Sequence, residues 1–564
     1  MKDVIVVTDS AKEQQRDQSQ TKQVAVWGIV VSACALVLSI LVSLAPLRRL
    51  VGVPELTWPT YKFLIAAGVW LPTNLHFSND GHASQLSTHI ILLLSCMALA
   101  FMIYLGGAGL LQRQSAQGDY QKVMRVIWLT TLVIGLIYVF TPAMLSHDIF
   151  VYTAYGRILT VYHANPYFTT LANFPHDPFF RLDDWKDAPA AYGPVWIAVC
   201  ALGSLLIGDS PDRALLVYRF FGLGAHLLNT LLVMHILRTM ERSPRTVTLG
   251  TLLYAWNPLV LEESSLGAHN DTFMFTLILL GILFSVRTER QSTTYPPGLR
   301  SYLPSLLALT LATLVKFTAA PMLALYLILL AGKAFSAKSF AQKPALLLRL
   351  RAVLITVIPA ALISGAFVVL LYLPYWFGLS ISGIIYSFTS PPSANSSDNS
   401  ILFAIIQWNH EHGLPPTSSW SYPFFYIFAL HQTWNYINTA TLVCMLLVSA
   451  IWIWRSPTTR TMILASLAIL GATLIVTFWF FPWYVIWLIA LMAICLPISG
   501  ERVGRALVAF ALAFSASAFC IYLFFNPYSS IGSWIGWTCL TTVGPPLIAL
   551  LVWLTLPIHQ SIKN

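Results

Sequence analysis

Long apolar runs alternate with short polar stretches along most of this chain. The runs fall near 24–46, 88–111, 126–145, 213–237, 246–262, 271–287, 302–314, 317–331, 351–371, 436–454, 460–477, 482–497, 504–525 and 536–557. A helix crossing a bilayer needs roughly 20 mainly apolar residues, so the pattern predicts an all-α polytopic membrane protein with about 13–14 transmembrane helices. Three stretches depart from the simple alternation. The segment 194–207 reads as a helix lying in, or dipping into, the outer leaflet, beside a span rather than as one. The segment 60–72 reads as a short span or re-entrant piece. The stretch 302–331 is too long for one ordinary span and carries Lys316 near its middle, which predicts two shorter helices meeting at that lysine.

Charge orients the runs. Clusters at Arg113, Lys122 and Arg125, at Arg238, Arg242 and Arg245, at Arg287, Arg290 and Arg300, at Lys333 to Arg351, and at Arg455, Arg460, Arg502 and Arg505 fall in alternate connections. Basic loops favour the cytoplasmic face, so the loops 146–212, 263–270, 315–316, 372–435, 478–481 and 526–535 are expected together on the outer side. Arg48, Arg49 and Lys62 run against this scheme. The expected organisation is a polar cytoplasmic N-terminus at 1–23 with no cleavable signal peptide, a single membrane domain at 24–557, and a cytoplasmic tail at 558–564.

Composition agrees with a membrane protein: of 564 residues, 57% are hydrophobic and only 10% charged. The net charge of +10 is spread in short clusters between apolar runs, which suits topology and anionic lipid rather than nucleic acid. The seven cysteines all sit inside apolar runs and read as small core residues, with disulfides and zinc not expected.

The candidate chemistry lies in the outer connections. Asp148 closes an apolar run, and a carboxylate so near hydrocarbon reads as functional. From Asp148 a helical spacing puts Tyr152, Tyr155, Leu159 and Tyr162 on one face, which also suits an interfacial aromatic belt. Asn165-Pro166-Tyr167 marks a turn, and Tyr192-Gly193-Pro194 opens the dipping helix. Asp177, Asp183, Asp184 and Asp187 between them read mostly as solvated loop charges. Gly267-Ala268-His269-Asn270-Asp271 follows Glu262 and Glu263; helix capping by Asn270 or Asp271 is the plain alternative to a functional role. Lys316 suits an anionic group at headgroup level, or snorkelling to lipid phosphate. The run Phe478 to Tyr484 is aromatic and broken by Pro482, fit for packing against sugar or polyprenyl and equally for a belt. The loop 372–435, with His410, Glu411 and His412, is long enough to cap a site.

Taken as an ordered set, these motifs resemble the GT-C glycosyltransferases, and among them the bacterial polyprenyl-phosphomannose-dependent α-1,6-mannosyltransferases. The resemblance rests on Asp148, Tyr152, Gly156-Arg157, Asn165-Pro166-Tyr167, Tyr192-Gly193-Pro194, His269-Asn270-Asp271, Lys316 and Phe481-Pro482-Trp483-Tyr484, across roughly 125–500. It implies a GT-C-like bundle with extracytoplasmic juxtamembrane helices in the plasma membrane. It implies transfer of a hexose, mannose above all, from a polyprenyl-phosphate donor to a glycan or glycolipid acceptor on the outer face. Displacement would invert the sugar carbon and give an α-linkage. Where some GT-C members carry two adjacent acidic residues, His147 precedes Asp148 here. A lone carboxylate holds a divalent ion poorly, so no cofactor is assigned and metal dependence stays open.

The roles expected under that resemblance follow from the chemistry. A carboxylate beside the acceptor hydroxyl can take its proton, and Asp148 is the candidate base. A departing lipid phosphate needs cations or donors, for which Lys316, Arg157 and His269 are candidates. Tyr152, Tyr192, Asn270, Asp271, Trp483 and Tyr484 are candidates for holding sugar or acceptor. A polytopic transporter or a lipid or polysaccharide flippase is the competing class. It places ionisable groups along a mid-membrane path, often in repeated halves, whereas here they cluster in outer connections. A non-enzymatic scaffold fits the dense polar set least well.

Overall fold

The computed structural model describes residues 2–51, 71–72, 82–114, 118–291, 298–336, 346–389, 397–496, 501–523 and 534–556. The expected piece at 60–72 (save 71–72), most of the loop 526–535, and the tail 558–564 lie outside the described residues.

Most of the described residues are helical. In order, the helices are α1 (Lys2–Val51), α2 (His82–Arg113), α3 (Tyr120–Val139), α4 (Asp148–Thr160), α5 (Pro194–Ile207), α6 (Pro211–Thr239), α7 (Pro244–Ala255), α8 (Pro258–Ser265), α9 (Asn270–Gln291), α10 (Leu299–Thr313) and α11 (Ala320–Phe335). Then come α12 (Leu346–Trp376), α13 (Ile381–Thr389), α14 (Ile401–His412), α15 (Tyr422–Phe428), α16 (His431–Arg455), α17 (Thr459–Val476), α18 (Ile486–Ile494), α19 (Arg502–Ala518), α20 (Trp534–Thr538) and α21 (Gly544–Thr555). Among the described residues, 11 helices are long and apolar enough to cross a membrane. The expected runs at 246–262, 302–314 and 482–497 form shorter helices: α7 with α8, α10, and a 3₁₀ turn (Pro482–Val485) leading into α18. The protein is an all-α, multi-pass membrane protein.

Local chemistry explains several boundaries. Proline opens α5, α6, α7 and α8, where its missing N–H costs no helical hydrogen bond. Ser243 and Asn257 cap α7 and α8 by accepting the N–H groups of Thr246 and Val260. Outward leucines such as Leu129, Leu205 and Leu347 cover the periphery, as a lipid-facing surface requires.

The two ends of the bundle differ in chemistry. At one end the basic connections are tied together: Arg245 reaches the carbonyls of Gln112 and Gln114, Arg290 meets Glu241 at 2.7 Å, Lys333 meets Glu289 at 3.5 Å, and Arg460 meets Glu501. At the other end lie the connections expected to share a face. Gly193 N–H donates to Val315 O (3.0 Å), Asn165 Nδ2 donates to Tyr375 O (2.7 Å), and Met144 N–H donates to Val51 O (2.9 Å). An isolated parallel β-bridge joins Asp398 to Trp479.

Four expectations need correction. The helix from Asp148 is no interfacial belt: Ile149 through Ile158 are all buried. Its cover is α5, packed in parallel at an offset of 44 residues, with Tyr152 on Trp196 and Thr160 on Ser204. A Cβ on Gly156 would sit 2.1 Å from Cys200 O, so only glycine allows the approach. Next, Asp177 and Asp183 are buried rather than solvated. Third, Cys34, Cys444 and Cys539 are exposed on the bundle rather than buried in its core. Fourth, the run 246–262 is broken at Trp256-Asn257, where Asn257 becomes a cap.

Candidate active site

Between the Asp148 and Lys316 connections opens a cavity of about 780 Å³. Its wall includes Asp148, Tyr192, Lys316, Trp483 and Tyr484 from the expected site, joined by Asp398, Trp479 and Trp487.

Asp148 stands at the first position of α4, with 16% of its side chain exposed. Tyr152 Oη, one turn on, donates to Asp148 Oδ2 at 3.2 Å, and the Asp148 N–H donates to Ser146 Oγ at 3.2 Å. His269 backs the carboxylate. Its Nδ1 lies 3.2 Å from Asp148 Oδ2 and its Nε2 lies 3.3 Å from Glu263 Oε2, in ion-pair range but without the alignment of a hydrogen bond. The imidazole stacks on Trp483 at 3.8 Å and 14°. Tyr522 Oη donates to Glu263 Oε1 at 2.6 Å and completes a buried line from Asp148 to the 3₁₀ turn (Phe519–Leu523) that follows α19.

The electrostatics follow from that line. Burial alone would lower His269, but its two flanking carboxylates raise it to about 9. Burial would raise Asp148, but His269 and then Lys316 hold it below the ordinary carboxylate range. An ionised aspartate beside an imidazolium results. Asp183, buried close by, is pushed up to about 7 by burial.

Lys316 sits in the predicted break, after α10 ends at Thr313 and before a 3₁₀ turn (Phe317–Ala319). Its Nζ donates to both oxygens of Asp271 at 2.9 and 3.0 Å, and Trp487 Nε1 donates to Asp271 Oδ1 at 2.7 Å. The ammonium also lies 4.4 Å from the Tyr484 ring centroid, with Tyr192 at 5.9 Å and Trp487 at 5.6 Å. Lys316 keeps 12% of its side chain exposed and Asp271 none, so the ammonium faces the cavity and the carboxylate anchors it from behind.

Some expected residues stand behind the wall. Tyr152 packs edge-on against Tyr192, Trp196 and Tyr218, within a buried aromatic layer. The Asn270 N–H donates to Tyr152 Oη at 3.4 Å, while its side-chain amide is buried without a hydrogen-bond partner. Arg157 does not join the others. Its guanidinium is buried against Asp177 (2.7 Å) and Asp209 (2.8 Å), donates to Gly208 O, and so ties α4 to the end of α5. His410, Glu411 and His412 are outside the cavity wall. Among the described residues no three His, Cys, Asp or Glu side chains are grouped as metal ligands.

Sequence reasoning missed Glu263's link to Tyr522, Trp487's bond to Asp271, Asp398 in the wall, and Arg219. Arg219 is fully buried in α6 and donates to the carbonyls of Val139, Thr141, Ala143 and Leu266, securing the connection that delivers Asp148. A single arginine inside an apolar run was the available signal for it.

Residues 62–332 match the family model described as MptA_B family, alpha-(1->6)-mannopyranosyltransferase, N-terminal domain. The chain is 27% identical to an alpha-(1->6)-mannopyranosyltransferase of Mycobacterium tuberculosis over 179 residues, 30% of this chain and 28% of that protein. It is 21% identical over 226 residues to alpha-(1->6)-mannopyranosyltransferase A of Corynebacterium glutamicum, covering 39% of this chain and 44% of the relative. A probable alpha-(1->6)-mannopyranosyltransferase of Mycolicibacterium smegmatis is 28% identical over 198 residues, 34% of this chain and 33% of its own length. The matched stretches span less than half of each relative. No solved structure matches the chain. Across residues 62–332, which hold Asp148, His269, Asp271 and Lys316, the chain thus matches the N-terminal domain of the MptA_B family, as its motifs predict.

Proposed function

We propose that the protein is a membrane mannosyltransferase that moves mannose from a polyprenyl-phosphate donor to a glycan or glycolipid acceptor. It works at the outer face of the plasma membrane and forms an α-linkage, α-1,6 being the linkage named for its relatives. The observation that carries this reading is that the Asp148 carboxylate and the Lys316 ammonium line one cavity. The basic connections at the opposite end support an outward site, since basic loops favour the cytoplasm.

The chemistry is a single displacement. Asp148 accepts the proton of the acceptor hydroxyl as that oxygen attacks the anomeric carbon. The bond to the phosphate oxygen breaks on the far side, which inverts a β-linked donor into an α-linked product. Lys316 balances the charge that develops on the leaving phosphate. Asp271 and Trp487 hold Lys316, while Glu263 and His269 hold Asp148. His269 is the second candidate cation for phosphate, although both its nitrogens already face carboxylates. Arg157, spent on Asp177 and Asp209, has no part in this scheme.

Asp148→Asn keeps the shape of the side chain and removes its basicity. Purified protein carrying it is expected to fold, to bind the donor, and to lose transfer by at least about 100-fold, the usual worth of a general base. Turnover close to wild type would remove Asp148 from this role.

A further inference from the structure

The cavity wall also holds polar groups that the transfer chemistry leaves unused. Asp398 is fixed by its backbone: its N–H donates to Phe478 O at 3.0 Å, and its carbonyl accepts from Phe480 N–H at 3.1 Å. Its side chain lines the cavity, takes a hydrogen bond from the Asn399 backbone and, among the described residues, makes no ion pair. Asn438, near the start of α16, also lines the cavity, and its Nδ2 is buried with no hydrogen-bond partner. Beside them the rings of Trp185 and Trp479 meet at 5.6 Å, and Trp479 meets Phe481 at 5.1 Å.

A buried amide nitrogen that faces a cavity without a partner calls for a ligand that satisfies it. A carboxylate without an ion-pair partner repels phosphate, and a hydrocarbon tail would leave the amide nitrogen unpaired. A neutral polyol does neither. Its hydroxyls donate to a carboxylate and accept from an amide, and the C–H face of a pyranose packs on tryptophan. The anionic end of the donor belongs with Lys316, which leaves these groups for the other substrate.

We propose that Asp398, Asn438 and Trp479 form a carbohydrate subsite that holds a hydroxyl-rich pyranose of the acceptor. The assignment rests on the transferase reading for the word acceptor, but the binding of sugar stands by itself. It gives Lys316 to the lipid phosphate and Asp398, Asn438 and Trp479 to the glycan.

The test uses the full chain in detergent with an octyl α-1,6-dimannoside as probe. Titration calorimetry measures its affinity for wild type, Asp398→Asn and Asn438→Ala, and steady-state assays measure the KM of dimannoside and donor separately. Asp398→Asn is isosteric and leaves the backbone bonds to 478–480 in place, and Asn438→Ala tests the wall from a different helix. Each variant is expected to weaken dimannoside affinity about tenfold or more, as loss of a buried hydrogen bond to a substrate hydroxyl does, with donor KM unmoved. Equal dimannoside affinity in all three proteins overturns the subsite, and wild-type turnover in that case leaves the transferase reading standing. Variant-sensitive dimannoside binding in a wild type that does not transfer supports the subsite and overturns the transferase reading. A wild type that neither binds nor transfers overturns both.

Discussion

Removing Lys316 tests how the site is held as well as what it binds. Asp271 has no exposed side-chain surface and accepts three hydrogen bonds, two from Lys316 Nζ and one from Trp487 Nε1. Lys316→Ala leaves that carboxylate buried with the indole alone. Breaking a buried ion pair by deleting one partner costs about 3–5 kcal/mol, and the 12% exposure of the lysine places this pair near the lower figure. Neutralising the stranded group should return most of the loss, so Lys316→Ala with Asp271→Asn is expected to be more stable than Lys316→Ala alone. Donor binding should behave differently, because both proteins lack the cation that faces the phosphate. Thermal unfolding in detergent, read by size-exclusion recovery, gives the first quantity, and titration with polyprenyl-phosphate mannose gives the second. A single variant as stable as wild type would refute the buried-pair argument. A double variant that regained donor affinity along with stability would refute the phosphate role of Lys316.

Other predictions follow from the same geometry. His269 is raised from 6.5 to about 9 by its carboxylates, so the stability it contributes is fully present below 6.5 and is lost as pH rises through about 9. Wild type should therefore lose its stability advantage over His269→Gln across that window, and a constant difference between the two melting curves would contradict the charged imidazole. Gly156→Ala places a Cβ 2.1 Å from Cys200 O and should cost about 1–3 kcal/mol or more by forcing α4 from α5, seen as a lower yield of folded protein. Arg157→Ala strands the buried Asp177 and should destabilise by about 3–5 kcal/mol without raising donor KM. A raised donor KM in a fully stable variant would restore Arg157 to the phosphate site.

The helices were largely legible because a span must satisfy its own backbone in lipid, which leaves a long apolar run as its trace. Even the break at Lys316 was readable, since an ammonium in mid-run demands an interruption. Hydropathy does not separate a lipid-facing cysteine such as Cys34 from a buried one such as Cys200, because both environments are apolar. The site was legible where one motif held its own partners, as with His269 and Glu263. Partners brought from afar left no spacing to read. Tyr522 meets Glu263 across 259 positions and Trp487 meets Asp271 across 216. Asp398 gained its place through a backbone bridge to Trp479, which no side-chain pattern announces. Arg157 misled for a related reason: a conspicuous arginine beside a glycine reads as a ligand for phosphate until its carboxylates are located.

Transfer itself remains the decisive quantity. Proteoliposomes containing the purified chain, given polyprenyl-phosphate mannose labelled in the sugar together with the α-1,6-dimannoside, should yield label in an α-linked, water-soluble trisaccharide. Label that stayed on the polyprenyl carrier, or that crossed the bilayer still attached to it, would contradict the account and mark the protein as a carrier of lipid-linked sugar.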